Sequence, residues 1–85
     1  MEHYVYLKVP FRASIWGGDK AILPTKEDDR ARLRRQNAGT RLEAVTHMKP
    51  VWVPRKYAYR VELWPEIIPE IALWETVRKV VLIED

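Results

Sequence analysis

Residues 3–15 alternate without a break: odd positions carry His3, Val5, Leu7, Val9, Phe11, Ala13 and Ile15, and even ones Tyr4, Tyr6, Lys8, Pro10, Arg12, Ser14 and Trp16. Successive side chains of a strand point to opposite sides, so a period of two over this length demands extended backbone with one apolar and one polar face. Pro10 cannot donate to a sheet ladder, which places the run at an edge or bends it into two short strands. Gly17, Gly18 and Asp19 then supply a turn, and residues 21–23 return as a short second strand.

A change of period follows. Thr25 with Asp28 three positions on reads as a helix cap, and Glu27, Asp28 and Asp29 suit the first turn, where the helix dipole favours negative charge. The helix is expected to run to about residue 37 with Gly39 ending it, on a thin apolar stripe of Ala31, Leu33 and Ala38. Residues 41–48 read as a strand. Residues 51–64 read as a longer one interrupted by Pro54, with Val51, Val53, Tyr57, Tyr59, Val61 and Leu63 on one face and Trp52, Lys56, Arg60 and Trp64 on the other. The spacing of Ile67, Ile71, Trp74 and Val77 predicts a helix from about 66 or 69 to 79. Alternation of Ile71, Leu73, Glu75 and Val77 leaves a continuous strand as the alternative, and residues 80–83 finish as a strand.

The resulting order is β, α, β, β, α, β with an extra N-terminal hairpin. It predicts an α+β fold, a small antiparallel sheet with two helices, in the split βαβ or ferredoxin-like arrangement with one sheet face open. A chain of 85 residues builds one core, so residues 1–85 are read as a single domain. It has no cysteine, which excludes disulfides and thiolate metal sites. No apolar run is long enough to span a bilayer, and with no basic-then-apolar leader in view the expected setting is the cytoplasm. Gln36 and Asn37 are the only side-chain amides, a depletion that thermophile proteins share.

Charge is distributed unevenly. Between positions 30 and 60, Arg30, Arg32, Arg34, Arg35, Arg41, Lys49, Arg55, Lys56 and Arg60 face the single acid Glu43. From position 61 onward, Arg78 and Lys79 face Glu62, Glu66, Glu70, Glu75, Glu84 and Asp85, so the formal net charge of +3 conceals a dipolar chain. Two surfaces follow. The first is the open sheet face, on which Tyr6, Trp52, Lys56 and Arg60 would present rings for bases and cations for phosphates. The second is the arginine-rich helix with Arg30, Arg34, Arg35 and continuing to Arg41, whose planar guanidinium groups suit phosphate oxygens. Pairing of Asp28 with Arg32 and of Glu27 with Arg30 is the structural alternative for part of that run.

Val5, Tyr6 and Leu7 are similar to the start of the shorter sheet signature of RNA-recognition-motif domains. Arg55, Tyr57, Ala58 and Tyr59 are similar to parts of the longer one, with Lys56 in place of its glycine and Glu62 in place of its closing aromatic. The resemblance implies single-stranded RNA on an open sheet with Tyr57 and Tyr59 exposed, whereas the alternation buries both.

The expected function is therefore binding of nucleic acid, RNA or single-stranded DNA, as a small basic protein. The alternative is a protein-interaction module that meets an acidic surface, a small regulator or a viral or assembly component, with a homodimer through basic centre and acidic tail as one form. A metal-independent small ribonuclease is the third class. The sequence calls for no cofactor and no metal: His3 and His47 have no ligand neighbours at useful spacing, and Gly17-Gly18-Asp19 lacks the lysine of a phosphate loop.

Overall fold

The computed structural model of the chain describes residues 1–8 and 29–84. The expected continuation of the first strand past Lys8, the hairpin after it and the Thr25 cap lie outside the described residues, as do the Glu27 and Asp28 pairings. Six elements follow in the order β, α, β, β, α, β: β1 (Glu2–Leu7), α1 (Asp29–Thr46), β2 (Val51–Val53), β3 (Ala58–Glu62), α2 (Ile68–Ala72) and β4 (Val77–Leu82). A single 3₁₀ turn, Pro54–Lys56, joins β2 to β3. The four strands form one sheet in the order β2-β3-β1-β4, and every neighbouring pair is antiparallel. This is an α+β fold with a small antiparallel sheet and two helices. Among the described residues no helix is long and apolar enough to cross a membrane.

The alternation of β1 sets the two faces of the sheet. Val5 and Leu7 are buried, and the register that places Val5 opposite Tyr59 and His3 opposite Val61 turns the odd residues of β3 to the same side. Ala38 and Leu42 of α1, Ile71 of α2, and Ile67, Trp74 and Val77 beside it join these residues in one core cluster, so both helices cover this face. Burial of such side chains is the principal favourable contribution to a domain this small.

Helix α1 departs from the sequence reading in two ways. It runs straight through Gly39 and takes in residues 41–46, which had been read as strand. Its buried positions are Ala31, Ala38, Gly39, Leu42 and Thr46, a narrow stripe at helical spacing, while Leu33 is 58% exposed. The stripe was missed because a small glycine and a threonine occupy core positions that apolar periodicity does not count. Asp29 accepts a hydrogen bond from Arg32 at 2.6 Å in the first turn. The helix stops at His47, whose φ of 61° is left-handed and whose N–H donates to Glu43 O at 2.8 Å. Thr46 completes the end: its hydroxyl donates to Leu42 O at 2.7 Å and accepts from Met48 N–H at 3.2 Å.

The run 51–64 is two strands rather than one. The 3₁₀ turn after Val53 ends in Tyr57, which adopts φ 52° and ψ 51° and donates its N–H to Pro54 O at 3.1 Å. The chain therefore reverses, and Trp52 pairs with Tyr59. The C-terminal stretch holds both alternatives in sequence, a short helix α2 on Ile71 and then a strand that begins at Val77, earlier than the expected residue 80.

Candidate nucleic-acid interface

Among the described residues both helices lie on one side of the sheet, and the even residues of β1 build the other. Tyr4 pairs with Arg60 and Val81, and Tyr6 pairs with Ala58 and Lys79, so these side chains share one face. The two tyrosine rings lie 6.0 Å apart at 59°. Cations surround them: Lys56 Nζ stands 5.1 Å from the centre of the Tyr4 ring, and Lys79 Nζ and the Arg78 guanidinium stand 5.0 and 5.4 Å from that of Tyr6. Ala58 stands between Tyr6 and Val53 in the register and is fully buried. Of the expected sheet-face residues, Tyr6, Lys56 and Arg60 thus come together.

Trp52 does not join them. Because the chain reverses at Tyr57, Trp52 faces the helices, with its ring 5.0 Å from Tyr57 and 4.8 Å from Tyr59 and the Arg35 guanidinium 4.9 Å above it. The same reversal puts Val51, expected on the apolar face, on the open one at 60% exposure. Tyr57 and Tyr59 are each 6% exposed, as the alternation requires and contrary to what the RNA-recognition-motif resemblance implies. A hairpin changes the parity of inward positions, and a strand read continuously across it carries the wrong phase.

The helix arginines lie on the other side of the molecule. Arg30 and Arg34 are exposed on α1, which covers the sheet face opposite to Tyr4 and Tyr6. Arg41 stacks on Trp74, with its guanidinium 4.1 Å from the ring centre. Arg35 and Arg41 therefore each stand over a tryptophan ring, the partly buried Trp52 and the buried Trp74, a use of the guanidinium that favours packing as well as charge. Arg34 and Arg35 also line a cavity of about 350 Å³ with Lys8, Leu7, Ala31, Tyr57, Glu75 and Thr76. The two expected basic surfaces thus lie on opposite faces of the sheet.

Arg78 and Lys79 were read as part of the acidic tail and were missed as site residues. Alternation of Lys79 and Val81 in β4 was the available signal, but only pairing with β1 brings Lys79 beside Tyr6. His3 is buried on the helix side with its Nδ1 2.9 Å from Met1 O, and His47 ends α1, so neither joins the tyrosine face. Among the described residues no group of three or more His, Asp or Glu is placed to hold a metal ion.

Two acids stand at one end of the basic face, Glu2 and its register partner Glu62. Glu2 receives two hydrogen bonds from Arg60, Nε to Oε2 at 2.8 Å and Nη2 to Oε1 at 2.6 Å. These bonds, reinforced by the attraction of the same guanidinium, hold the Glu2 carboxyl below the usual carboxylate range. A depressed acid contributes stability above its unfolded value and loses it as pH falls through its folded one. In an NMR pH titration, Arg60→Met is expected to move the Glu2 midpoint upward, and an unchanged midpoint would disprove the clamp. Comparison with protein-family models, characterised proteins and solved structures finds no match for this chain.

Proposed function

We propose that this protein binds single-stranded nucleic acid, RNA or DNA, on the open face of its sheet. The observation that supports the reading is the pair Tyr4 and Tyr6, two rings on the sheet face opposite the described helices, with Lys56, Arg78 and Lys79 over them and the Glu2-bound Arg60 paired with Tyr4. Bases stack on rings without regard to sequence, and flexible cations at the rim reach the phosphates between them. Lys56 and Lys79 stand over the rings in the unbound protein. Contacts of this kind at exposed sites contribute about 0.5–1 kcal/mol each, so a base stacking on the ring with its phosphate drawing the cation aside displaces them at small cost. The stacked Arg35 and Arg41 belong to the helix side and are not the primary contact in this reading.

Binding of a fluorescent single-stranded oligonucleotide at a series of salt concentrations tests it. Contacts to three or four phosphates predict log affinity falling against log salt with a slope of roughly −2 to −3. Tyr6→Ala is expected to weaken binding by about 1–3 kcal/mol, the loss of one stacked base. Lys56→Glu and Lys79→Glu should flatten the salt slope, while Arg30→Glu and Arg34→Glu on the opposite side leave it in place. Affinity that depends on Arg30 and Arg34 but not on Tyr6 or Lys79 would transfer the site to the helix. The absence of any salt dependence would end the nucleic-acid reading.

A further inference from the structure

The cations of the tyrosine face are held in two different ways. Lys56 and Lys79 stand over the rings of Tyr4 and Tyr6 at 5.1 and 5.0 Å, and no carboxylate among the described residues lies within ion-pair distance of either. Arg60 is bonded side-on to Glu2, Nε to Oε2 at 2.8 Å and Nη2 to Oε1 at 2.6 Å, with the two side chains 42% and 48% exposed. These residues are 58 positions apart in the chain, and the ladder of β1 with β3 brings them together diagonally, since Arg60 stands opposite Tyr4 and Glu62 opposite Glu2.

A fork of two parallel N–H···O bonds is the geometry in which arginine takes a phosphate as readily as a carboxylate. Glu2 therefore fills the place that a phosphate would take. Directly opposed residues of an antiparallel pair have Cβ atoms about 4.5–5.5 Å apart, so the Arg60 guanidinium is within reach of the backbone of a nucleotide whose base stacks on Tyr4. We infer that Glu2 is an internal competitor for the phosphate contact of Arg60, an autoinhibitory pair through which the protein withholds this arginine from a bound strand. The inference rests on the nucleic-acid reading of the tyrosine face. Removing the Glu2 charge adds Arg60 to the phosphate contacts. Glu62, the other acid at this end, is paired with the Met1 amino group at 3.4 Å, and removing its charge makes no such addition.

Titration of the full chain against a fluorescent single-stranded oligonucleotide over a salt series tests the competition. Glu2→Gln is expected to steepen the slope of log affinity against log salt by about 0.7, the share of one further phosphate, which is about a fivefold gain at 0.1 M salt relative to 1 M. Glu62→Gln changes the charge of the same face by the same amount and should leave the slope near that of the unsubstituted chain. Arg60→Met added to Glu2→Gln should abolish the gain. By NMR, the Arg60 Nε–H signal should move on addition of the oligonucleotide in Glu2→Gln and stay in place in the unsubstituted protein. Equal steepening by the two acid substitutions would assign the effect to net charge and overturn the inference. So would an unchanged slope in a Glu2→Gln protein that still binds, or a gain that survives Arg60→Met. Salt-dependent binding absent from every variant and from the unsubstituted chain would instead end the underlying reading, and the inference with it.

Discussion

Leu42→Ala is expected to lower the unfolding free energy by about 2–5 kcal/mol, the cost of removing a fully buried leucine from a core that relaxes only in part. Leu42 has no exposed surface and belongs to the cluster that joins α1 to β1, β3 and the region of α2. Domains of this size hold about 5–10 kcal/mol in total, so the substitution removes a large share of it. Leu33→Ala is the control, the same change in the same helix at a side chain 58% exposed, and should stay within about 0.5 kcal/mol. Urea titration of both variants compares the buried stripe found in α1 with the stripe that apolar periodicity alone suggests. A larger loss at Leu33 than at Leu42 would mean that the helix presents a different face to the sheet.

Gly39→Ala is expected to destabilise although it sits in the middle of a helix, where alanine would ordinarily be better by about 1 kcal/mol. A Cβ at this position would come within 2.6 Å of Tyr59 Oη and 2.8 Å of its Cζ. The ring has little freedom to retreat. Its hydroxyl donates to Arg35 O at 2.7 Å, and Trp52 packs 4.8 Å away on the sheet side. Overpacking of about 1–3 kcal/mol and the loss of a hydrogen bond of about 0.5–1.5 kcal/mol together exceed the propensity gain. A net loss of about 1–3 kcal/mol follows. The double variant isolates the cause, because with Tyr59→Leu in place the alanine meets no hydroxyl and should become neutral or stabilising. Gly39→Ala that stabilises the unsubstituted protein would refute the close approach.

These two positions also mark where sequence reasoning reached its limit. Gly39 looked like a helix stop because glycine tolerates left-handed backbone, yet the fold uses its lack of a side chain to seat Tyr59, and the left-handed residue that ends α1 is His47. Leu42 looked like a strand residue since nothing local distinguishes a helix carrying a sparse stripe from an extended segment. The interface divides in the same way. Tyr6 was placed on the open face by simple alternation, Lys56 and Arg60 reached it as well, and Trp52 was lost to the opposite side when the chain turned back at Tyr57.

What the order of residues determined unaided was the inward and outward side of β1 and β3, the burial of Tyr57 and Tyr59, and an α+β fold with a small antiparallel sheet and two helices. Those properties arise from neighbours one or two positions apart, for which a pleated strand has a compulsory alternation. Tertiary structure alone decided that α1 continues through Gly39, that Lys79 stands beside Tyr6, that Arg60 holds Glu2, and that Trp52 faces the helices. Each depends on segments distant in the chain meeting in one register, and that choice is made by the packing of the whole core, to which no short stretch of sequence has access.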